Sequence, residues 1–132
     1  MTAGERRGVY PGSFDPPTIA HAAIAEAAVR AAQLDALDLA ISERALGKDA
    51  ATQRPLAERL AAIERLTATR PWLDVVVTDA QLIADIAAGY DAVVMGADKW
   101  EQVRDPAWYA NDPAARDAAL ARLPRVLVAP RA

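Results

Sequence analysis

Hydrophobic and polar positions follow two periods along this chain. Short apolar runs rich in β-branched residues recur five times, and between them lie stretches with apolar residues three and four apart. The first pattern suits a buried strand, the second a helix with one covered face. Residues 8–10 open the first strand, and residues 19–33 read as a helix with Ile24, Ala27, Ala28 and Ala31 on one face. Further strands are predicted over 36–41, 73–77, 91–96 and 125–129. Residues 42–53 are polar, contain Gly47 and predict a loop. A helix is predicted over 55–69, with Leu60, Ile63 and Leu66 as its buried stripe. Pro55 suits its first turn, where a missing N–H costs little, and Pro71 ends it. Asp79 is placed to cap a helix over 80–88, with Gly89 as the stop. Residues 98–104 predict a short helical turn, and Asp112-Pro113 starts a helix running to about Arg122.

Alternation of strand and helix predicts a single α/β domain, its sheet mainly parallel, with helices on both faces. In such a sheet ligands bind beyond the carboxyl ends of the strands, near the point where strand order switches. The first and fourth strands flank that point. The turn after the first holds Gly12, Ser13, Phe14, Thr18 and His21, and the turn after the fourth holds Gly96, Ala97, Asp98, Lys99 and Trp100. Two turns rich in polar groups therefore converge on one crevice.

Composition narrows the chemistry. The chain has 132 residues, enough for one domain that buries about two thirds of its unfolded surface. Its net charge is −3 with 25% charged residues, so it lacks the basic footprint of a nucleic-acid binder. The absence of cysteine excludes disulfides, thiolate catalysis and zinc–thiolate sites, and fits a reducing compartment such as the cytoplasm. No 18-residue apolar run is present, so no membrane partner is expected, and residues 2–7 lack the apolar core of a signal peptide. Neither a GxGxxG nor a GxxxxGK[ST] motif occurs, which argues against hydride transfer and P-loop phosphoryl transfer.

The richest stretch runs from Val9 to His21: Val-Tyr-Pro-Gly-Ser-Phe-Asp-Pro-Pro-Thr-Ile-Ala-His. A strand meets a Pro-Gly turn, and a helix follows at once. The first N–H groups of a helix lack intrahelical partners and its dipole is positive there, so this terminus suits an anion. With Thr18 as N-cap, His21 is the third helical residue, where a capping box would place Glu or Gln. On local chemistry alone this single histidine either covers the first turn or faces a phosphate.

Pro11-Gly12-Ser13-Phe14-Asp15-Pro16 followed by Thr18-x-Ala20-His21 resembles the signature of the HxGH/TxGH nucleotidyltransferases, in particular the phosphopantetheine adenylyltransferase form. Ala20 stands where that family has glycine. Met95-Gly96-Ala97-Asp98-Lys99-Trp100 resembles the GxDxW segment of nicotinate-nucleotide adenylyltransferases and glycerol-3-phosphate cytidylyltransferase. Arg54-Pro55-Leu56-Ala57-Glu58-Arg59 resembles the family's FSxEER helix start. Val126 to Arg131 resembles its last strand and Pro-Arg.

The resemblance implies strand order 3-2-1-4-5 and transfer of AMP or CMP, AMP favoured, from a nucleoside triphosphate to a phosphorylated small-molecule acceptor, with release of pyrophosphate. It implies catalytic roles for His21, Thr18 and Lys48. Nucleotide contacts would come from Gly12, Ser13, Phe14, Ala20, Gly96, Asp98, Trp100 and Arg131. Asp98 is placed either to read ribose or to cap the following helix. Lys48, like Arg44 in the same loop, is either a phosphate contact or a solvated charge. Trp72, Trp108 and Tyr109 read as packing residues, and the last two could wall an acceptor pocket. Mg²⁺ is expected to arrive on the triphosphate, since the sequence offers no carboxylate cluster for a cage. Ala132 precedes the point where the family continues into an ISSTxxR-type segment. The domain over 1–132 is therefore expected to lack half of the phosphate site, unless a partner chain in a homo-oligomer supplies it. A non-catalytic nucleotide-binding protein of the same fold is the alternative.

Overall fold

The computed structural model describes residues 4–14, 17–43 and 54–130. Five parallel strands form one sheet: β1 (Arg7–Gly12), β2 (Ala36–Ser42), β3 (Leu73–Thr78), β4 (Ala92–Gly96) and β5 (Arg125–Ala129). Their order is β3-β2-β1-β4-β5, so β1 is central and the direction of winding reverses between β1 and β4. β1 pairs with β2 from Arg7 opposite Ala36 to Gly12 opposite Ile41. On its other side Gly8 lies opposite Ala92 and Val9 opposite Val93.

Side chains alternate across the sheet and build a core on each face. Tyr10, Leu37, Leu39, Ile41 and Val94 point to the face covered by α1 (Ile19–Ala32) and α2 (Leu56–Thr67). Val9, Ala40, Val93 and Met95 point to the face covered by α3 (Ile83–Ile86), α4 (Ala97–Arg104) and α5 (Pro113–Ala121). Burial of both faces explains why the central strands read as continuous apolar runs. α1 meets the first core through Ala25, Ala28 and Ala32, whose short side chains let its backbone approach the sheet. Its last turn closes on Gln33, which takes the left-handed conformation at φ +54°.

Two predicted elements change. The helix expected over 80–88 shrinks to Ile83–Ile86, and Asp79 does not cap it: Leu82 precedes the helix in extended conformation, with no side-chain cap. Thr78 Oγ1 accepts the Ala80 amide instead (3.1 Å). The extended segment brings Gln81 over the crevice, while Ile83 and Ile86 reach the core. Gly89 does end this turn, at φ +87°, a conformation that favours glycine. The turn expected over 98–104 is a full helix beginning at Ala97 with Gly96 as N-cap, so Asp98 lies in the first turn and is not the cap. A 3-10 turn over Pro106–Tyr109 follows, capped by Asp105, and Asp112 caps α5 as its spacing predicts.

At the amino ends of the strands an ionic cluster forms around one buried carboxylate. Asp38, 5% exposed, accepts from Arg7 Nη1 and from the Tyr90 hydroxyl (2.6 Å). Arg7 also pairs with Asp74 (3.3 Å) and Glu5 (3.4 Å). Burial and the Asp38 hydrogen bond raise the Tyr90 pKa.

Candidate functional site

The carboxyl ends of β1 and β2 line a cavity of about 230 Å³, which β4 reaches only through Lys99 of the helix that follows it, with no β4 residue in the lining. Gly12, Ser13, Phe14 and His21 line one side, with Ser42, Gln81 and Lys99 across from them. The chain reaches this arrangement through one strained turn. After Gly12 the backbone places Phe14 at φ +46°, unusual for a bulky side chain. Such strain persists only where packing over-determines it. Here Phe14 is buried edge-to-face between Tyr10 (5.1 Å between centroids) and His21 (5.0 Å). A Cβ at Gly12 would sit 3.1 Å from the Phe14 ring, so Gly12 leaves room for the aromatic that backs the histidine.

His21 completes a capping box. Its backbone N–H donates to Thr18 Oγ1 (3.4 Å), and the Thr18 N–H donates to His21 Nδ1 (2.9 Å). Histidine thus takes the place of the usual Glu or Gln. An Nδ1 that accepts carries no proton, so the neutral ring holds its proton on Nε2. Burial lowers the His21 pKa, favouring the neutral ring. Nε2–H has no acceptor among the described residues and belongs to a ring that lines the cavity. The site therefore presents a fixed neutral donor, the hydroxyl of Ser13, and the ammonium of Lys99, which also donates to Gln102 Oε1 (2.7 Å). No carboxylate lines this cavity among the described residues.

The other residues named from the sequence fall elsewhere. Thr18 caps α1 and is exposed, lining a separate groove between α1 and α2 rather than this cavity. Ala20 is exposed on the first turn of α1. Gly96 has open space where a Cβ would stand. Asp98 is exposed at the start of α4. Trp100 packs against the second core, with the Arg104 guanidinium 5.1 Å above its ring. The Tyr109 hydroxyl donates to the Val103 carbonyl (2.9 Å), and with Trp108 it walls a small pocket that shares Gln81, Ile83 and Lys99 with the main cavity. Arg44, Lys48 and Arg131 lie outside the described residues.

Two residues that shape the site carry no role in the sequence reading, although Lys99 is placed there in the crevice turn. Lys99 was visible as one of only two lysines, inside a segment already singled out. Arg59 is 2% exposed and donates to three main-chain carbonyls: Ser42 (3.0 Å), Glu43 (3.3 Å) and Arg54 (3.0 Å). It pins the end of β2, where Ser42 meets the cavity, to the start of α2. Its place in the Arg54–Arg59 segment was the available signal.

The fold is a doubly wound parallel sheet in which a helix capped through a histidine follows the central strand. The family model described as cytidylyltransferase-like matches residues 9–127, and the chain belongs to this family, part of the HxGH nucleotidyltransferase superfamily. The match runs from the middle of β1 into β5 and so includes both crevice turns. No curated protein matches the chain. No helix among the described residues is long and apolar enough to cross a membrane.

Proposed function

We propose that this protein transfers a nucleotidyl group from ATP or CTP to a phosphorylated small molecule. An oxygen of the acceptor phosphate attacks the α-phosphorus in line. The new O–P bond forms as the bond from the α-phosphorus to the bridging oxygen breaks, and pyrophosphate leaves with that electron pair. No covalent enzyme intermediate is needed, so catalysis is positioning and electrostatics. The observation that carries this reading is the His21 capping box. It spends Nδ1 on the Thr18 amide and leaves the proton on Nε2 of a ring that lines the cavity.

In this reading Nε2–H stabilises charge growing on the α- and β-phosphate oxygens, which a pre-oriented donor does at no reorganisation cost. Ser13 holds a phosphate oxygen, and Lys99 supplies positive charge from the opposite wall. Thr18 acts by fixing the imidazole. Gly96 leaves space for the nucleoside, and Asp98 reads ribose from the start of α4. Lys48 and Arg131 would add charge from segments not described. Mg²⁺ arrives on the triphosphate as part of the substrate. Pyrophosphate release with ATP and with CTP, each with phosphopantetheine, nicotinate mononucleotide or glycerol 3-phosphate, tests the proposal. Turnover with one pair supports it. Binding of nucleotide in a thermal-shift titration, with no release from any pair, supports a nucleotide-binding protein instead.

A further inference from the structure

On the far side of the first turn of α1 from the cavity lies a second opening, a groove of about 400 Å³ between α1 and α2. Arg54, Arg65 and Arg70 line it together with Thr18, Ile19 and Leu66, and none of the described lining residues is acidic. The carboxylates of the same helix, Glu58 and Glu64, are exposed and lie outside the lining. Three arginines line one groove in a chain whose net charge is −3. Arg70 uses one nitrogen, Nη1, to bond the Leu66 carbonyl (2.9 Å) and Thr69 Oγ1 (3.2 Å). Its other nitrogens have no partner among the described residues.

The opposite wall adds to this field. The first turn of α1 contains no acidic residue to offset its positive end. The amide of Ile19 is a first amide of the helix and lacks an intrahelical acceptor. Ile19 stands at the groove 87% exposed, an apolar side chain with nothing over it. Arginines beside the positive end of a helix suit phosphate oxygens, to which arginine forms paired bonds.

We infer that the groove lined by Arg54, Arg65, Arg70 and the first turn of α1 is an anion-binding site for a pyrophosphate-class ligand, separate from the cavity of His21 and Lys99. Such a ligand has two sources. It is either the phosphate tail of a nucleotide reaching past the first turn of α1, or a separate phosphorylated molecule. The inference does not depend on turnover at the cavity.

Pyrophosphate titrated calorimetrically tests it, in a His21→Gln/Lys99→Met background that disables the cavity. Pyrophosphate is expected to bind there, more weakly as salt rises. Arg65→Ala is expected to weaken that binding about tenfold, and Arg65→Ala/Arg70→Gln about a hundredfold. Because Arg70 also ties down the end of α2, Arg65→Ala alone is the safer variant: Arg65 is exposed and its loss leaves the fold intact. No binding in the cavity-disabled background, or unchanged binding in Arg65→Ala/Arg70→Gln with a native melting curve, overturns the inference. Titration of a non-hydrolysable ATP analogue into Arg65→Ala separates the sources. Weakened nucleotide binding assigns the groove to the tail, and unchanged nucleotide binding with weakened pyrophosphate binding assigns it to a separate ligand. Loss of pyrophosphate release with the groove still binding would remove the catalytic proposal and leave this one standing.

Discussion

A glutamine in place of His21 would still accept the Thr18 amide, because a capping box takes Glu or Gln at this position. It would not present the same donor to the cavity. His21→Gln is therefore expected to melt within a few degrees of the parent while pyrophosphate release falls about 10²–10³-fold. Equal rates in the two proteins would assign His21 to the helix end alone. Thr18→Ala does the opposite, removing an N-cap and costing about 1 kcal/mol in a urea titration. The imidazole also sets a pH dependence. Burial lowers its pKa, so as pH falls the unfolded chain takes up the proton first. Its contribution is intact above the unfolded value near 6.5 and is lost as pH falls from there through the folded value. A protonated Nδ1 can no longer accept from Thr18. The parent is expected to lose more stability between pH 7 and pH 5 than His21→Gln does, read from urea midpoints; equal losses would show that the ring does not titrate in this way. The sequence located His21 at the helix start, and its spacing from Thr18 named the capping box. It could not choose between structural cover and phosphate contact. The ring does the first through Nδ1 and, as proposed, the second through Nε2.

Strands and long helices were legible because their periodicity is strong and their ends carry Pro, Gly or Asp. The strand order came from the family likeness, since apolar runs do not say which strand lies beside which. The segment over 79–86 shows where local signals fail. Asp79 and an apolar run imitate a capped helix, but Ile83 and Ile86 fill the second core while Gln81 turns to the cavity. Tertiary packing decided that boundary. Arg59 was hidden for a related reason, since a charged residue on a helix is presumed solvated until the fold surrounds it. Its guanidinium joins β2 to α2 through three carbonyls with no carboxylate among its hydrogen-bond partners. Arg59→Leu leaves those carbonyls without donors and is expected to cost about 2–4 kcal/mol. Arg59→Lys should recover only part of this, because an ammonium cannot reproduce a three-nitrogen fork. Urea unfolding checks both, and a loss under 1 kcal/mol in Arg59→Leu would mean that water reaches those carbonyls.

Across the whole molecule, the two ends of the sheet carry different chemistry. Glycine, hydroxyls, His21 and Lys99 gather at the carboxyl ends of the strands, beside the ends of β1 and β2. The cluster of Arg7 and Tyr90 around buried Asp38 lies toward the amino ends. This division follows from parallel pairing, which puts every strand's carboxyl end on one side. It makes stability and ligand binding separable. Tyr90→Phe removes one hydroxyl from the Asp38 carboxylate and leaves the ring in place. A hydrogen bond to a buried charged group is worth about 1.5–3 kcal/mol, so the unfolding free energy from urea titration should fall by that measure. Nucleotide affinity and the KM of any turnover should stay within about twofold, since no cavity residue touches Tyr90 or Asp38 among the hydrogen bonds described. A large change in nucleotide affinity, with stability unchanged, would mean that the two ends of the sheet are coupled through β1 and β2. Two registers run from the ionic cluster toward the cavity and would carry such coupling: Val9 opposite Asp38 to Gly12 opposite Ile41, and Asp38 opposite Asp74 to Ser42 opposite Thr78.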